Sequence, residues 1–216
     1  MYVIVYATMT IDGKIGYGRR LRLSSDRDFY RLHLLRSRVD AVMVGANTVI
    51  SDDPLLTVRL PEYRGKQPYR IVVDMKLKTN PNYRVFNTSI SMTFLVTSHE
   101  NIDSPLIRDF MSAGVEIVFT KKIDELMLDL REALSTLEDR YGIKKVLVEG
   151  GGFLIGSLIK QKLVNELNIC ISPKILGKRG VPLVNIDLGE LVYLEPVDIF
   201  MDTETGEIIL KYVFSS

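Results

Sequence analysis

Three consecutive glycines, Gly150, Gly151 and Gly152, interrupt the stretch VLVEGGGFLIG between a run that reads as a buried strand and one that reads as a helix. Such a junction lets a ligand reach the main chain, and the free N–H groups and positive dipole end of a helix N-terminus suit a phosphate or pyrophosphate. A tight turn packing helix on sheet is the competing reading, but three glycines exceed what it requires. The spacing of Gly150, Gly152 and Gly156 is not a dinucleotide fingerprint, because the strand stands late in the chain. No Gly-Lys-Ser/Thr follows, which excludes a P-loop. Glu149 ends the apolar strand just before the glycines, so its carboxylate is expected at the ligand edge, partly desolvated and suited to proton chemistry. Capping the next helix is its alternative role.

A second junction repeats the arrangement. AVMVG ends at Gly45, and ANTVISDDP reads as a short helix before Pro54, placing Asn47, Thr48, Asp52 and Asp53 near a sheet edge where open α/β sheets bind ligands. A capped helix and an Asp-Pro turn is the plainer account, and Asp52 with Asp53 makes a poor metal pair because adjacent side chains diverge. Arg59 follows on the extended segment LLTVRL, where an arginine is either solvated or grips a phosphate bidentately. Asp12 and Lys14 flank an Asp-Gly turn in TIDGKIG, which by pattern alone is an ordinary solvated turn. His33 and His99 show no partner in the sequence and are read as structural. G-x-S-x-G is absent, and the single cysteine, Cys170, rules out an internal disulfide and a thiolate metal cluster, so no metal site is expected.

Positioning these residues requires an α/β frame, and the pattern supplies one. Short β-branched runs at 2–9, 41–45, 69–74, 93–98, 115–120, 145–149 and 164–172 alternate with helical stretches. One helix opens at Ser24 or Ser25 and carries Phe29, Leu32 and Leu35 on one side. A longer one is expected from Ile123 to Gly142, with Ile123, Leu126, Met127, Leu130, Ala133, Leu134 and Leu137 as its apolar stripe. The tail from 192 to 214 reads as an antiparallel hairpin around ETGE, which makes the sheet mixed. With 216 residues and 46% hydrophobic content, a single domain over 1–216 is the default. A net charge of +1 with scattered basic residues points away from nucleic acid and toward small-molecule chemistry. The apolar N-terminus is too short to span a bilayer and lacks a leader pattern, so no membrane association and a reducing, cytoplasmic location are expected.

Taken together, ATMTIDGKIG, VDAVMVGANTVISDDPLLTVR, YRIVVD, VLVEGGGFLIGSLI and VNELNICISPKILG resemble the riboflavin-biosynthesis reductases, a family related in fold to dihydrofolate reductase. The resemblance spans nearly the whole chain in order. It implies a three-layer α/β/α domain with a mostly parallel sheet, a homodimer, and an NADPH-dependent reductase, with NADH an alternative. It implies as substrate a pyrimidine bearing a ribosylamino phosphate, whose C1′ receives the hydride as an open-chain imine while a proton goes to nitrogen. By match to the family's motifs, Thr48, Asp52, Asp74, Met75, Lys76, Leu77, Gly150, Gly151, Gly152 and Phe153 fall to the cofactor, with Lys76 or Lys78 facing the 2′-phosphate. Arg36, Leu56, Arg59 and Glu149 fall to the substrate, and Lys14 lies near the reacting end. The segment RRLRLSSDRD departs from the bacterial pattern. The deaminase signatures H-x-E and P-C-x-x-C are absent, which is similar to the free-standing archaeal and fungal arm acting on 2,5-diamino-6-(ribosylamino)-4(3H)-pyrimidinone 5′-phosphate. The deaminated uracil substrate, another reductase of this fold, or a non-catalytic nucleotide-binding module are the alternatives.

Overall fold

The computed structural model describes residues 1–17 and 22–214, so Arg19, Arg20 and Leu21 of the divergent segment lie outside the described residues. In chain order the strands are β1 (Tyr2–Thr10), β2 (Lys14–Gly16), β3 (Ala41–Gly45), β4 (Tyr69–Val73), β5 (Thr93–Ser98), β6 (Glu116–Thr120), β7 (Lys145–Val148), β8 (Glu166–Ser172), β9 (Val181–Pro182), β10 (Leu194–Asp202) and β11 (Glu207–Phe214). The helices are α1 (Asp26–Arg36), α2 (Ala46–Asp52), α3 (Pro105–Ser112), α4 (Leu130–Tyr141) and α5 (Gly152–Lys160). Nine strands form one sheet in the order β10-β11-β8-β1-β7-β3-β4-β5-β6. From β8 to β6 every pairing is parallel, while β11 runs antiparallel to β8 and β10 to β11. This is the expected mixed sheet with a C-terminal hairpin.

Strand alternation builds the layers. Val3, Val5, Ala41, Met43, Val146 and Val148 pack with Leu134 and Leu137 of α4 and Leu154 and Leu158 of α5 on one face. On the other, Val42, Val44, Val72 and Leu95 meet Val49 of α2 and Ile107 and Phe110 of α3, and Ile4, Tyr6 and Leu147 meet Leu32 and Leu35 of α1. Central parallel strands buried on both sides explain their unbroken apolar sequences.

Two elements differ from expectation. The helix expected from Ile123 begins at Leu130, where the Asp129 carboxylate accepts the Glu132 N–H at 3.0 Å. Ile123–Leu128 instead closes as a turn, its N–H groups at Leu126 and Met127 taken by Asp124, leaving Ile123 and Leu126 exposed. A local carboxylate that satisfies backbone donors outcompetes helical periodicity. On α1, Ser25 is the N-cap as expected, but the residues it buries completely are polar: Asp28, His33 and Arg36.

Candidate active site

The glycine turn divides its work among three residues. Gly150 has φ 114°, a conformation only glycine adopts readily, and the Gly150–Gly151 peptide is cis. Gly151 is the N-cap of α5 with no side-chain capping bond, so the first-turn amides face outward unclaimed by a cap. A Cβ there would lie 3.2 Å from Thr48 Oγ1, in the gap between this turn and α2. Gly152 serves the fold itself. A Cβ on it would stand 2.2 Å from the Pro182 carbonyl oxygen, and Asn185 N–H donates to its carbonyl at 3.0 Å. Gly156, one turn on, would place a Cβ 2.6 Å from Ile186, so Gly152 and Gly156 form a groove for the 182–186 segment. Gly152 is therefore a packing residue as well as part of the cavity lining. Glu149 does not cap α5, since its carboxylate accepts from Arg36 and not from the first-turn amides.

Glu149 instead meets Arg36. Arg36 Nε and Nη2 donate to the two carboxylate oxygens at 2.6 Å each, a fork-to-fork pair whose side chains are 6% and 9% exposed. The third arm, Nη1, donates to the Thr57 carbonyl at 2.7 Å. An arginine near the end of α1 was expected either at the substrate or complementing the helix C-terminus. It ties helix, β7 and the 57–59 segment together, and each Glu149 oxygen carries one hydrogen bond from the guanidinium.

These groups surround a cavity of about 1530 Å³ at the carboxyl ends of β1, β3, β4 and β7, reaching from Lys76 and Lys78 past Thr48 and Gly151 to Arg36 and Arg59. The length and mixed lining suit a dinucleotide and a phosphorylated partner together. The family model of the RibD C-terminal domain matches residues 1–200. The chain belongs to the RibD C-terminal domain family. A Methanothermobacter thermautotrophicus protein named 2,5-diamino-6-ribosylamino-4(3H)-pyrimidinone 5′-phosphate reductase is 36% identical over 181 residues, covering 82% of this chain and 80% of its own. An Archaeoglobus fulgidus protein of the same name is 35% identical, covering 85% of each chain. In fold the chain is similar to a pyrimidine reductase-like protein from Corynebacterium diphtheriae, with TM-score 0.83 at 20% identity over 100% of this chain and 92% of that one. Yeast Rib7, described as a riboflavin biosynthesis reductase, gives 0.77 at 21% identity over 99% and 90%.

Within this family frame the expected residues sort unevenly. Thr48, Asp52, Leu56, Arg59, Met75, Lys76 and Phe153 all line the cavity. Asp74 also borders it, but its buried carboxylate accepts from Lys78 N–H, Thr79 N–H and Thr79 Oγ1 at 2.8–3.0 Å, so it shapes the 75–79 loop. Leu77, at φ 48°, packs against the core on the α2/α3 face, anchors that loop and is not among the lining residues. Lys14 is not among the lining residues: its stem packs on Gly180, where a Cβ would lie 2.5 Å from Lys14 Cγ, while Ile15 and Gly16 of the same strand and Val181 of β9 do line the cavity. Asp12 belongs to the same device: it accepts from Thr10 Oγ1 and the N–H groups of Leu176 and Gly177, which lowers its pKa to about 2.

Other residues escaped the sequence reading. Tyr6 and Thr8 line the cavity, and both donate to the buried carboxylate of Asp28, Thr8 at 2.6 Å. Burial first, and the Asp28 charge second, push the Tyr6 phenol far above its ordinary value, so it stays protonated. The alternation of β1 places Tyr6 and Thr8 on one face, a signal available in YVIVYATMT but without a partner to interpret it. His33 proves buried and in contact with the segment bearing Arg59, with Nδ1 accepting the Arg59 N–H.

Proposed function

We propose that this chain is the free-standing reductase that converts the ribosylamino group of 2,5-diamino-6-(ribosylamino)-4(3H)-pyrimidinone 5′-phosphate to the ribitylamino product, with NADPH as reductant. The observation that carries it is the single cavity joining the uncapped glycine turn to the Arg36–Glu149 pair and Arg59. The residues present fit a dinucleotide: the α5 amides suit a pyrophosphate, and a side chain at Gly151 would fill the space toward Thr48. A bound nicotinamide supplies the hydride. The chain's own residues orient. Glu149, held by Arg36, accepts hydrogen bonds from the amino-pyrimidine; Arg59 grips the phosphate; Leu56 packs against the ring. With both Glu149 oxygens engaged by Arg36 and Lys14 off the cavity, the proton on nitrogen comes from water. Lys76 and Lys78, exposed and paired with no carboxylate among the described residues, favour the 2′-phosphate and hence NADPH over NADH.

The enzyme works in the cytoplasm as a homodimer. The outermost strand β10 exposes Ile199 and Met201 on one face and Phe200 on the other by 52–64%, and a second copy covering this edge strand would bury an apolar surface that a monomer leaves in water. Among the described residues no helix is long and apolar enough to cross a membrane. Loss of NADPH absorbance with the diamino substrate, but not with dihydrofolate, is the expected result. Consumption only with the deaminated uracil analogue, or cofactor binding without any turnover, would overturn the assignment.

A further inference from the structure

Residues 55–60 run beside the cavity yet belong to no sheet. Their main chain is satisfied by side chains in place of neighbouring strands. On one side Gln67 takes both the N–H and the carbonyl of Val58, at 2.7 and 3.1 Å. On the other, α1 supplies the contacts: Arg36 Nη1 donates to the Thr57 carbonyl at 2.7 Å, and His33 Nδ1 accepts the Arg59 N–H at 2.8 Å. One turn before His33, the Phe29 ring lies 5.3 Å from the Arg59 guanidinium carbon and 4.3 Å from the His33 ring. Phe29, His33 and Arg36 follow at spacings of four and three, so a single helical face grips this segment at three points.

We propose that His33 is a positioning residue for phosphate recognition: from the buried face of α1 it fixes the main chain of Arg59 and thereby sets where that guanidinium stands. The inference rests on the assignment of Arg59 to the substrate phosphate. The residue type follows from the chemistry. The site needs an acceptor that is fully buried and uncharged, because a carboxylate here would compete with Glu149 for Arg36 and neutralise Arg59. Imidazole meets both conditions. Burial first, then the charges of Arg36 and Arg59, lower its pKa to about 3, so the Nδ1 lone pair is available at neutral pH. The proton then sits on Nε2, which is buried and has no partner among the described residues. An unpaired buried donor is a stability cost that an aliphatic residue would not carry, which argues that the acceptor is what the site retains.

The test compares His33→Leu, His33→Asn, His33→Gln and Arg59→Ala on the phosphorylated substrate and its dephosphorylated counterpart, with ribose 5-phosphate as a competitive probe and amide exchange at Arg59 as a structural readout. His33→Leu is expected to raise KM for the phosphorylated substrate and Ki for ribose 5-phosphate about tenfold, the scale of one lost hydrogen bond, without changing kcat or the dephosphorylated KM. Asparagine, whose amide oxygen falls near the Nδ1 position, should restore both constants and the protection of the Arg59 amide. Glutamine, reaching toward Nε2, should behave as leucine does, which keeps the test open if the leucine variant does not fold. Equal losses on both substrates, or an unchanged phosphate preference in folded His33→Leu and His33→Gln, would overturn the inference. Arg59→Ala separates the two ideas: if it leaves the phosphate preference intact, the assignment of Arg59 fails, whereas erased preference there with intact preference in the His33 variants refutes only the role of His33.

Discussion

Arg36→Met removes one partner of a buried bidentate pair and leaves the Glu149 carboxylate, 9% exposed, without its countercharge. Breaking such a pair from one side costs about 3–5 kcal/mol, because the remaining ion keeps its desolvation penalty and loses its compensation. At roughly 2.1 cal/mol/K per residue, a chain of 216 residues has an unfolding entropy of about 0.45 kcal/mol/K, so Tm should fall by about 7–11 °C. Glu149→Leu, which strands the guanidinium instead, should cost a similar amount. The double variant Arg36→Met/Glu149→Leu no longer buries an uncompensated charge and should recover to within about 1–2 kcal/mol of wild type, the residue being the Thr57 carbonyl that lost its donor. Urea denaturation of the unliganded protein gives the four stabilities, and their cycle isolates the coupling, expected to be at least about 4 kcal/mol from these figures. Turnover should separate from stability, with the double variant well folded but as inactive as either single one. The reasoning is refuted if Arg36→Met costs less than about 1 kcal/mol or if the single effects add, since either result means the pair is not desolvated in solution.

The glycines should part company: Gly151→Val is expected to fold and weaken NADPH binding strongly in a fluorescence titration, whereas Gly152→Ala should lower the urea midpoint, because its Cβ would meet the Pro182 carbonyl. His33 has its pKa lowered to about 3 in the fold against 6.5 unfolded, so the unfolded state takes up a proton first as pH falls; stability is complete above about pH 6.5 and declines toward pH 3. Between pH 7 and 5 that loss is about 2 kcal/mol, and it should vanish from the pH dependence of urea midpoints in His33→Asn. Phe200→Glu, on the exposed strand β10, should shift the light-scattering mass of a dimer to that of a monomer while leaving the far-UV spectrum unchanged.

Much of the frame was legible because its cause is local. Alternating and unbroken apolar runs determine which segments are strands and that most are covered on both sides, and ETGE between two such runs determines the hairpin. The glycine run after VLVE marks a turn on the cavity wall for a backbone reason that any strand-to-helix junction shares. What the chain order could not show is who meets whom. Arg36 and Glu149 stand 113 residues apart, and only the adjacency of α1 to β7 turns two separately expected substrate contacts into one buried pair. Gly152 looks like its neighbours in sequence, and the approach of Pro182 alone makes it a packing residue. Lys14 sits beside a motif turn, yet its stem packs on Gly180 while Ile15 and Gly16 of the same strand line the cavity. His33 appears as a lone helical histidine until the segment bearing Arg59 is laid against α1. Periodicity is a property of one element, whereas the partner of a buried polar group is set by how elements cross, and that information is distributed over the whole core.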